Sequence, residues 1–96
     1  MNSDVPRRIV RIERTKQFLK QYKKLSIKLQ DRTTDKLEEF ASDQFAQQLN
    51  NHALSGEYLG YRSINITGDV RALYYLRTDG TVVVFAFIGT HSQLYG

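Results

Sequence analysis

The sequence predicts an α+β domain in which two N-terminal helices pack on one face of a mainly antiparallel sheet of about four strands. Apolar residues recur at helical spacing in the first half of the 96 residues, whereas glycines divide the second half into short apolar runs. Helices and strands that are segregated along a chain are typical of this class. With 41% hydrophobic residues the chain can form one core, so we expect a single domain over residues 1–96.

The first half predicts a tail, one strand and two helices. Residues 1–6 are polar, contain the one proline and indicate a flexible tail. Alternating apolar residues indicate a strand over residues 8–14. The apolar side of the first helix then comprises Phe18, Leu19, Tyr22 and Leu25. Ser26 is a candidate N-cap for the second helix, which contains Phe40 and which we expect to end between residues 41 and 48.

The second half predicts a meander of three strands, over residues 61–66, 70–77 and 81–88. Thr78-Asp79-Gly80 is a strong hairpin signal, because Asp-Gly supplies the positive φ angles of a tight turn, and Thr67-Gly68-Asp69 is a weaker one. The last strand is apolar almost throughout, so we expect it to be central. The face of the sheet opposite the helices is then available for function.

Composition excludes several classes of protein. The chain has no cysteine, which rules out disulfides and thiolate metal sites and is consistent with the cytoplasm. Its longest apolar run, residues 82–88, is far shorter than the ~20 residues of a membrane-spanning helix, and residues 1–6 lack a signal peptide's apolar stretch. No P-loop, nucleophile elbow or metal-ligand spacing is present. We therefore expect a cytoplasmic protein with no membrane partner, no cofactor and no metal.

Positive charge is concentrated near the N-terminus. The net charge is +4, and residues 7–28 contain nine basic side chains opposed only by Glu13. Such a cluster is typical of proteins that bind nucleic acid, because contacts with phosphates release counterions. The candidate RNA contacts of this segment are Lys16, Lys20, Lys23 and Lys24. A solvated helix face accounts for the same charges equally well, so charge alone does not decide.

The second half contains residue types suited to proton transfer and phosphate binding. His52 and His91 flank the meander in expected loops, and the ordinary pKa of histidine suits proton transfer near neutral pH. Arg71 lies on a predicted strand, where its guanidinium can donate two hydrogen bonds to a phosphate. Each histidine has an alternative role as a simple loop cap. Three aromatic residues are either stacking surfaces for bases or core residues: Tyr61, Tyr75 and Phe87.

Four segments of the second half resemble the YafQ branch of the RelE superfamily of toxins. In chain order they are His52-Ala53-Leu54-Ser55-Gly56, Gly60-Tyr61-Arg62-Ser63-Ile64-Asn65-Ile66, Asp69-Val70-Arg71-Ala72-Leu73-Tyr74 and Ile88-Gly89-Thr90-His91-Ser92-Gln93-Leu94-Tyr95-Gly96. Each motif is weak alone, whereas four in this order are a strong signal. The resemblance covers residues 52–96 by motif and the first half by element order.

The resemblance implies a toxin that enters the ribosomal A site, cleaves messenger RNA and is held inactive by a cognate antitoxin protein, with operator DNA bound only through their complex. The functional positions of the YafQ branch fall on His52, Asp69, His91 and Tyr95. Arg71 falls where RelE proper has a phosphate-contacting arginine. Two positions depart from the branch, because Asn65 replaces a histidine and Phe87 replaces an arginine. We count Arg62 and Asn65 among the RNA contacts.

This interpretation assigns a role to each residue. The ribose 2′-hydroxyl attacks the adjacent phosphodiester, the two histidines transfer protons, Arg71 stabilises negative charge, and Tyr95 and Asp69 orient the reacting groups. Two alternatives share the fold. A ParE-like protein inhibits DNA gyrase by binding and cleaves nothing, which the histidines and the terminal tyrosine disfavour. A degenerate member only pairs with its antitoxin, which the two departures favour.

Overall fold

The computed structural model describes residues 8–96, which form three α-helices and a five-stranded mixed sheet. In chain order the elements are β1 (Arg11–Arg14), α1 (Lys16–Lys23), α2 (Ile27–Ser42), β2 (His52–Ala53), β3 (Arg62–Asn65), β4 (Val70–Arg77), β5 (Val82–Thr90) and α3 (His91–Tyr95). Single 3₁₀ turns, Gln47–Leu49 and Gly56–Tyr58, flank β2. The tail expected over residues 1–6 lies outside the described residues.

The α+β class is confirmed, and the mainly antiparallel sheet of about four strands matches the structure only roughly. The strand order is β1-β5-β4-β3-β2, with β1 parallel to β5 and the other neighbours antiparallel. The sheet therefore has five strands and is mixed. The additional strand, β2, is two residues long and has no apolar alternation that could have indicated it. Helix α3 was also not expected, because five residues are too few to produce a helical period.

Side-chain caps fix where the two long helices begin. Thr15 accepts a hydrogen bond from the Phe18 backbone N–H at 3.0 Å at the start of α1. Ser26 accepts one from the Leu29 N–H at 3.2 Å, which confirms it as the N-cap of α2. Helix α2 ends at Ser42, inside the expected range, whereas α1 ends before Leu25. Leu25 still packs against the core from the link between the helices.

The core lies between these two helices and one face of the sheet. The Phe40 ring of α2 is fully buried and makes edge contacts with Tyr74 at 5.0 Å and Phe85 at 5.4 Å between ring centroids. Ile64 and Ile66 are buried in the same cluster, as strand alternation predicted. Both long helices therefore cover one face of the sheet, and the opposite face, called the open face below, carries the other set of strand side chains.

A bulge in β5 decides which face Phe87 occupies. Leu73 of β4 pairs with Phe87, but the next residue, Tyr74, pairs with Phe85, so Ala86 is the extra residue on β5. Strict alternation from Phe85 would place Phe87 in the core. Because of the bulge, Ile88 is buried there instead, and the half-buried Phe87 lies on the open face.

Two substitutions test the burial of the helix side chains. Phe40→Ala is expected to lower the free energy of unfolding by about 3–5 kcal/mol, because it leaves a cavity. Leu19 was expected to be buried too, but this was wrong, since 41% of the residue is exposed. Leu19→Ala is therefore expected to lower the free energy of unfolding by about 1 kcal/mol or less. Urea denaturation of both variants measures the difference, and equal losses would contradict the placement of α1.

Candidate active site

The open face carries the candidate residues in two adjacent cross-strand rows. Residues that pair directly across antiparallel strands project from the same face. One row is Asn65, Arg71 and Gly89, and the next is His52, Ser63, Leu73 and Phe87. Arg71 is thus a diagonal neighbour of Phe87 on this face, and Asn65 lies one strand further from that ring.

Arg71 is held by the backbone of the turn between β3 and β4. Its Nη1 donates hydrogen bonds to the carbonyl oxygens of Thr67 at 3.0 Å and Gly68 at 3.1 Å. The ion pairs within residues 8–96 do not include Arg71. The guanidinium is therefore fixed in position without a carboxylate partner in the described part of the chain, which suits stabilisation of an anionic phosphate.

His91 is the first residue of α3 rather than a loop residue, which corrects the sequence expectation. Its backbone N–H donates to the carbonyl oxygen of Asp69 at 3.1 Å, and its exposed imidazole lies 4.7 Å from the Tyr95 ring between centroids. The structure thus brings Asp69, His91 and Tyr95 together at one end of the sheet. Asp69 belongs to the same turn that holds Arg71, so all four residues border this end.

A cluster of aromatic rings covers the middle of the open face. Tyr58 is central to it, because its ring lies 5.8 Å from Phe87, 6.0 Å from Tyr61 and 5.6 Å from Tyr95. Tyr61 in turn contacts Tyr75 at 5.5 Å. Burial, and to a lesser extent the charge of Glu57, raises the pKa of Tyr58, so its hydroxyl keeps its proton at neutral pH. The sequence contained no periodic signal for Tyr58, which lies in an irregular segment between two glycines.

His52 and Asn65 lie nearer the β2 edge. His52 is in β2, not in a loop, and its Nδ1 lies 2.8 Å from the carbonyl oxygen of Asn50. No contact described in residues 8–96 joins His52 to His91. Beside it, Ser63 Oγ and Asn65 Oδ1 are buried without a hydrogen-bond partner in the described part of the chain. Burial of an unpaired polar atom is unfavourable, so these two atoms lower the stability of the sheet at this point.

Arg62 does not join this site. It pairs across the strands with the core residue Tyr74, so its side chain leaves the sheet on the helix-covered face. There its Nε donates to Asn51 Oδ1 at 2.9 Å, and its Cζ lies 5.4 Å from the Phe45 ring centroid. The alternation that places Ile64 towards the helices also places Arg62 there.

The basic surface of α1 borders the site on the β5 side. Thr15, the cap of α1, donates through Oγ1 to the Ala86 carbonyl oxygen at 3.0 Å, and Gln21 accepts from the Ile88 N–H at 2.9 Å. These contacts hold α1 against the strand that carries Phe87. The exposed lysines of this surface are Lys16, Lys20, Lys23 and Lys24.

Two features are absent from the part of the chain that the structure describes. Between Arg8 and Gly96, no three His, Asp or Glu side chains are grouped so that they could hold a metal ion. No helix in that part of the chain is long and apolar enough to cross a membrane. An exposed imidazole and a phenol at the same end of the sheet as a guanidinium are suited to proton transfer at a bound phosphate.

Comparison with known proteins agrees with the sequence resemblance. The family model described as "Bacterial toxin of type II toxin-antitoxin system, YafQ" matches residues 10–96, while no curated protein sequence matches. The structure of YafQ from E. coli strain BL21(DE3) is 25% identical and superimposes with a TM-score of 0.65 over 88% of this chain and 97% of that one.

Two further structures share the fold. YafQ in the E. coli DinJ-YafQ toxin–antitoxin complex is 22% identical, with a TM-score of 0.71 over 88% of this chain and 96% of that one. A YoeB/ParE toxin from Agrobacterium tumefaciens is 19% identical, with a TM-score of 0.71 over 85% and 99%. Since the family match spans nearly all of the chain, this protein belongs to the YafQ family of bacterial toxins of type II toxin–antitoxin systems.

Proposed function

We propose that this toxin is an endoribonuclease that cleaves messenger RNA on the ribosome. The observation that carries the proposal is the meeting of Arg71, Asp69, His91 and Tyr95 at one end of the open face. The guanidinium supplies charge for a phosphate, the imidazole a group for proton transfer, and the phenol ring a surface for an unpaired base.

In the proposed reaction the ribose 2′-oxygen forms a bond to the adjacent phosphorus, and the bond from phosphorus to the 5′-oxygen breaks. One catalytic group removes the 2′-hydroxyl proton and another protonates the leaving 5′-oxygen. His91 and His52 are the two candidates, in either assignment. Arg71 stabilises the charge on the non-bridging oxygens, while Asp69 and Tyr95 orient the reacting groups.

We propose this reaction without a metal ion. Metal-dependent cleavage of phosphodiesters usually gathers several carboxylates around the cation. From His52 onward the acidic residues are Glu57, Asp69 and Asp79, and Asp79 lies in the turn between β4 and β5. The nucleophile is then the substrate's own 2′-hydroxyl, held in line by binding.

RNA would extend from this end across the open face. Asn65 is a proposed contact, because it pairs across the strands with Arg71 and projects from the same face of the sheet. Phe87, which replaces the arginine of the YafQ branch, offers a ring on which a base can stack. Arg62 is left out of the proposed cleavage site, because its guanidinium lies over Phe45 on the other face.

The proposed partners are a cognate antitoxin, the ribosome and messenger RNA, so the proposed location is the cytoplasm. E. coli YafQ is found in a complex with DinJ, which supports a protein antitoxin for this chain as well. Operator DNA would be bound only through such a complex.

A translation reaction tests the function directly. Purified toxin is added to ribosomes that translate a defined message, and the new 5′ ends are mapped by primer extension. Cleavage within the message at the A-site codon is expected, and the antitoxin should suppress it. A supercoiling assay with DNA gyrase runs beside it. Inhibition of supercoiling without RNA cleavage would establish the gyrase alternative, and growth unaffected by expression would establish the degenerate one.

Charge reversal on α1 tests the proposed ribosome contact. The double variant Lys20→Glu/Lys23→Glu is expected to weaken ribosome binding and to flatten its dependence on salt, by about 0.7–0.9 in the logarithmic slope for each phosphate that the variant no longer neutralises. The matched control, Lys28→Glu/Arg32→Glu, reverses two exposed charges on α2. Ribosome binding of the two double variants is measured over a range of salt concentrations. Equal behaviour of the two variants would assign the α1 lysines to a solvated surface.

A further inference from the structure

Helix α3 carries two of the proposed catalytic groups but is too short to hold its own position. It has five residues, with His91 at its first position and Tyr95 at its last. Isolated helices shorter than about 12–15 residues are marginal in water. The geometry of the proposed site therefore depends on contacts that fix α3 to the rest of the molecule.

The first turn of α3 is fixed by local contacts. Thr90 accepts a hydrogen bond from the Gln93 N–H, and the Gln93 side chain accepts one from the Thr90 N–H, which forms a capping box. The His91 N–H bonds to the Asp69 carbonyl oxygen. These contacts set the position of the first residue, but none of them holds the Tyr95 end.

Tyr58 contacts the other end, where the Leu94 side chain is also buried. Its hydroxyl donates to the carbonyl oxygen of Leu94 at 2.8 Å across 36 residues of sequence. That carbonyl is one of the last four of the helix, which have no partner within it. The Tyr58 ring also meets the Tyr95 ring at 5.6 Å, almost perpendicular at 89°. On its other sides it contacts Phe87 of β5 and Tyr61, next to β3, so it connects α3 to the sheet.

We propose that Tyr58 is a positioning residue for RNA cleavage, which fixes α3 so that Tyr95 and His91 meet the substrate in a reactive arrangement. The effect of Tyr58 on cleavage rests on the proposed nuclease function. Its effect on the position of α3 rests only on the contacts described above. Tyr58 acts through the Leu94 carbonyl and the Tyr95 ring, and it transfers no proton itself. Its hydroxyl stays protonated because burial raises its pKa, so the hydrogen bond persists at neutral pH.

Tyr58→Phe removes the hydroxyl and keeps the ring. We expect the rate at saturating ribosomes to fall about tenfold, which corresponds to the loss of one hydrogen bond, while the half-saturating concentration changes less than about twofold. Amide hydrogen exchange of Leu94 and Tyr95 should quicken. The control is Tyr22→Phe, which removes another tyrosine hydroxyl bonded to a backbone carbonyl, that of Gln30, between α1 and α2. The control should leave both measurements unchanged.

Each outcome decides the inference. An unchanged rate, an equal loss in Tyr22→Phe or unchanged exchange in α3 would overturn the positioning role. If the wild type cleaves no RNA, the proposed function fails, while faster α3 exchange in Tyr58→Phe still supports the anchoring contact. If Tyr58→Phe does not fold, exchange of the Tyr58 hydroxyl proton is measured in the wild type instead. A slowly exchanging Tyr58 hydroxyl proton in its NMR spectrum supports the contact, and rapid exchange overturns it.

Discussion

A message that contains deoxyribose in place of the one ribose 5′ to the scissile phosphate is expected to bind the toxin–ribosome complex normally and to remain uncut. The proposed nucleophile is that ribose's own 2′-hydroxyl, and a nucleophile held next to its target reaches effective concentrations that no solvent molecule matches. Its removal should slow cleavage by at least about 10⁴-fold. Primer extension on matched ribosome complexes measures the loss, and a binding assay confirms occupancy.

The control message has deoxyribose one nucleotide further 3′, where the sugar carries the leaving oxygen. This message should be cut at the normal rate and give a 2′,3′-cyclic phosphate and a 5′-hydroxyl. A ribosome-free reaction at high toxin concentration adds a metal test, in which a chelator is expected to have no effect. Efficient cleavage of the first message would exclude attack by the 2′-hydroxyl, and inhibition by the chelator would exclude the metal-independent mechanism.

The parts of the fold that depend on short sequence segments were predictable. Ser26 is the N-cap of α2 because a side chain and a backbone N–H three residues later are enough to form the contact. Strand β4 spans Val70–Arg77, as predicted, and the turn after it has positive φ angles at Thr78, Asp79 and Gly80. The sequence predicted Asp79 and Gly80 at the centre of this turn. The Gly80 N–H donates to the Arg77 carbonyl oxygen, so the central residues are Thr78 and Asp79 instead.

The unpredicted elements depend on partners distant in sequence. Strand β2 exists because His52 and Ala53 pair with β3, and α3 is anchored by a tyrosine 36 residues away. The parallel pairing of β1 with β5 also joins opposite ends of the chain. None of these contacts leaves a period or a turn signal in the local sequence, so none of them could be predicted from it.

In the candidate site, too, some features could be predicted from the sequence and others depend on tertiary contacts. The resemblance selected His52, Asp69, His91 and Tyr95 as functional. The structure places the last three in one cluster, whereas His52 lies in the edge strand β2. The position of Phe87 could not be foreseen, because one bulged residue reverses the face of everything beyond it in β5. The central place of Tyr58 in the aromatic cluster likewise arises from tertiary packing.

The second large effect is expected for His91→Ala, which should reduce cleavage about 10²–10⁴-fold and abolish toxicity on expression. The imidazole is exposed, and the bond that its residue makes to Asp69 uses the backbone N–H, which alanine keeps. The free energy of unfolding should therefore change by less than about 1 kcal/mol. Cleavage by ribosome complexes and urea denaturation measure the two quantities on the same preparation.

His52→Ala is the companion variant, because it removes the other proposed proton-transfer group, an exposed imidazole in β2. If both histidines transfer protons, each variant loses activity, and the double variant loses less than the product of the two effects, since groups that act as a unit are not additive. Imidazole added to His91→Ala should restore part of the rate, because a small base can occupy the vacated space beside Tyr95. A large fall in unfolding free energy together with the lost activity would instead make His91 a structural residue, and full activity would remove it from the mechanism.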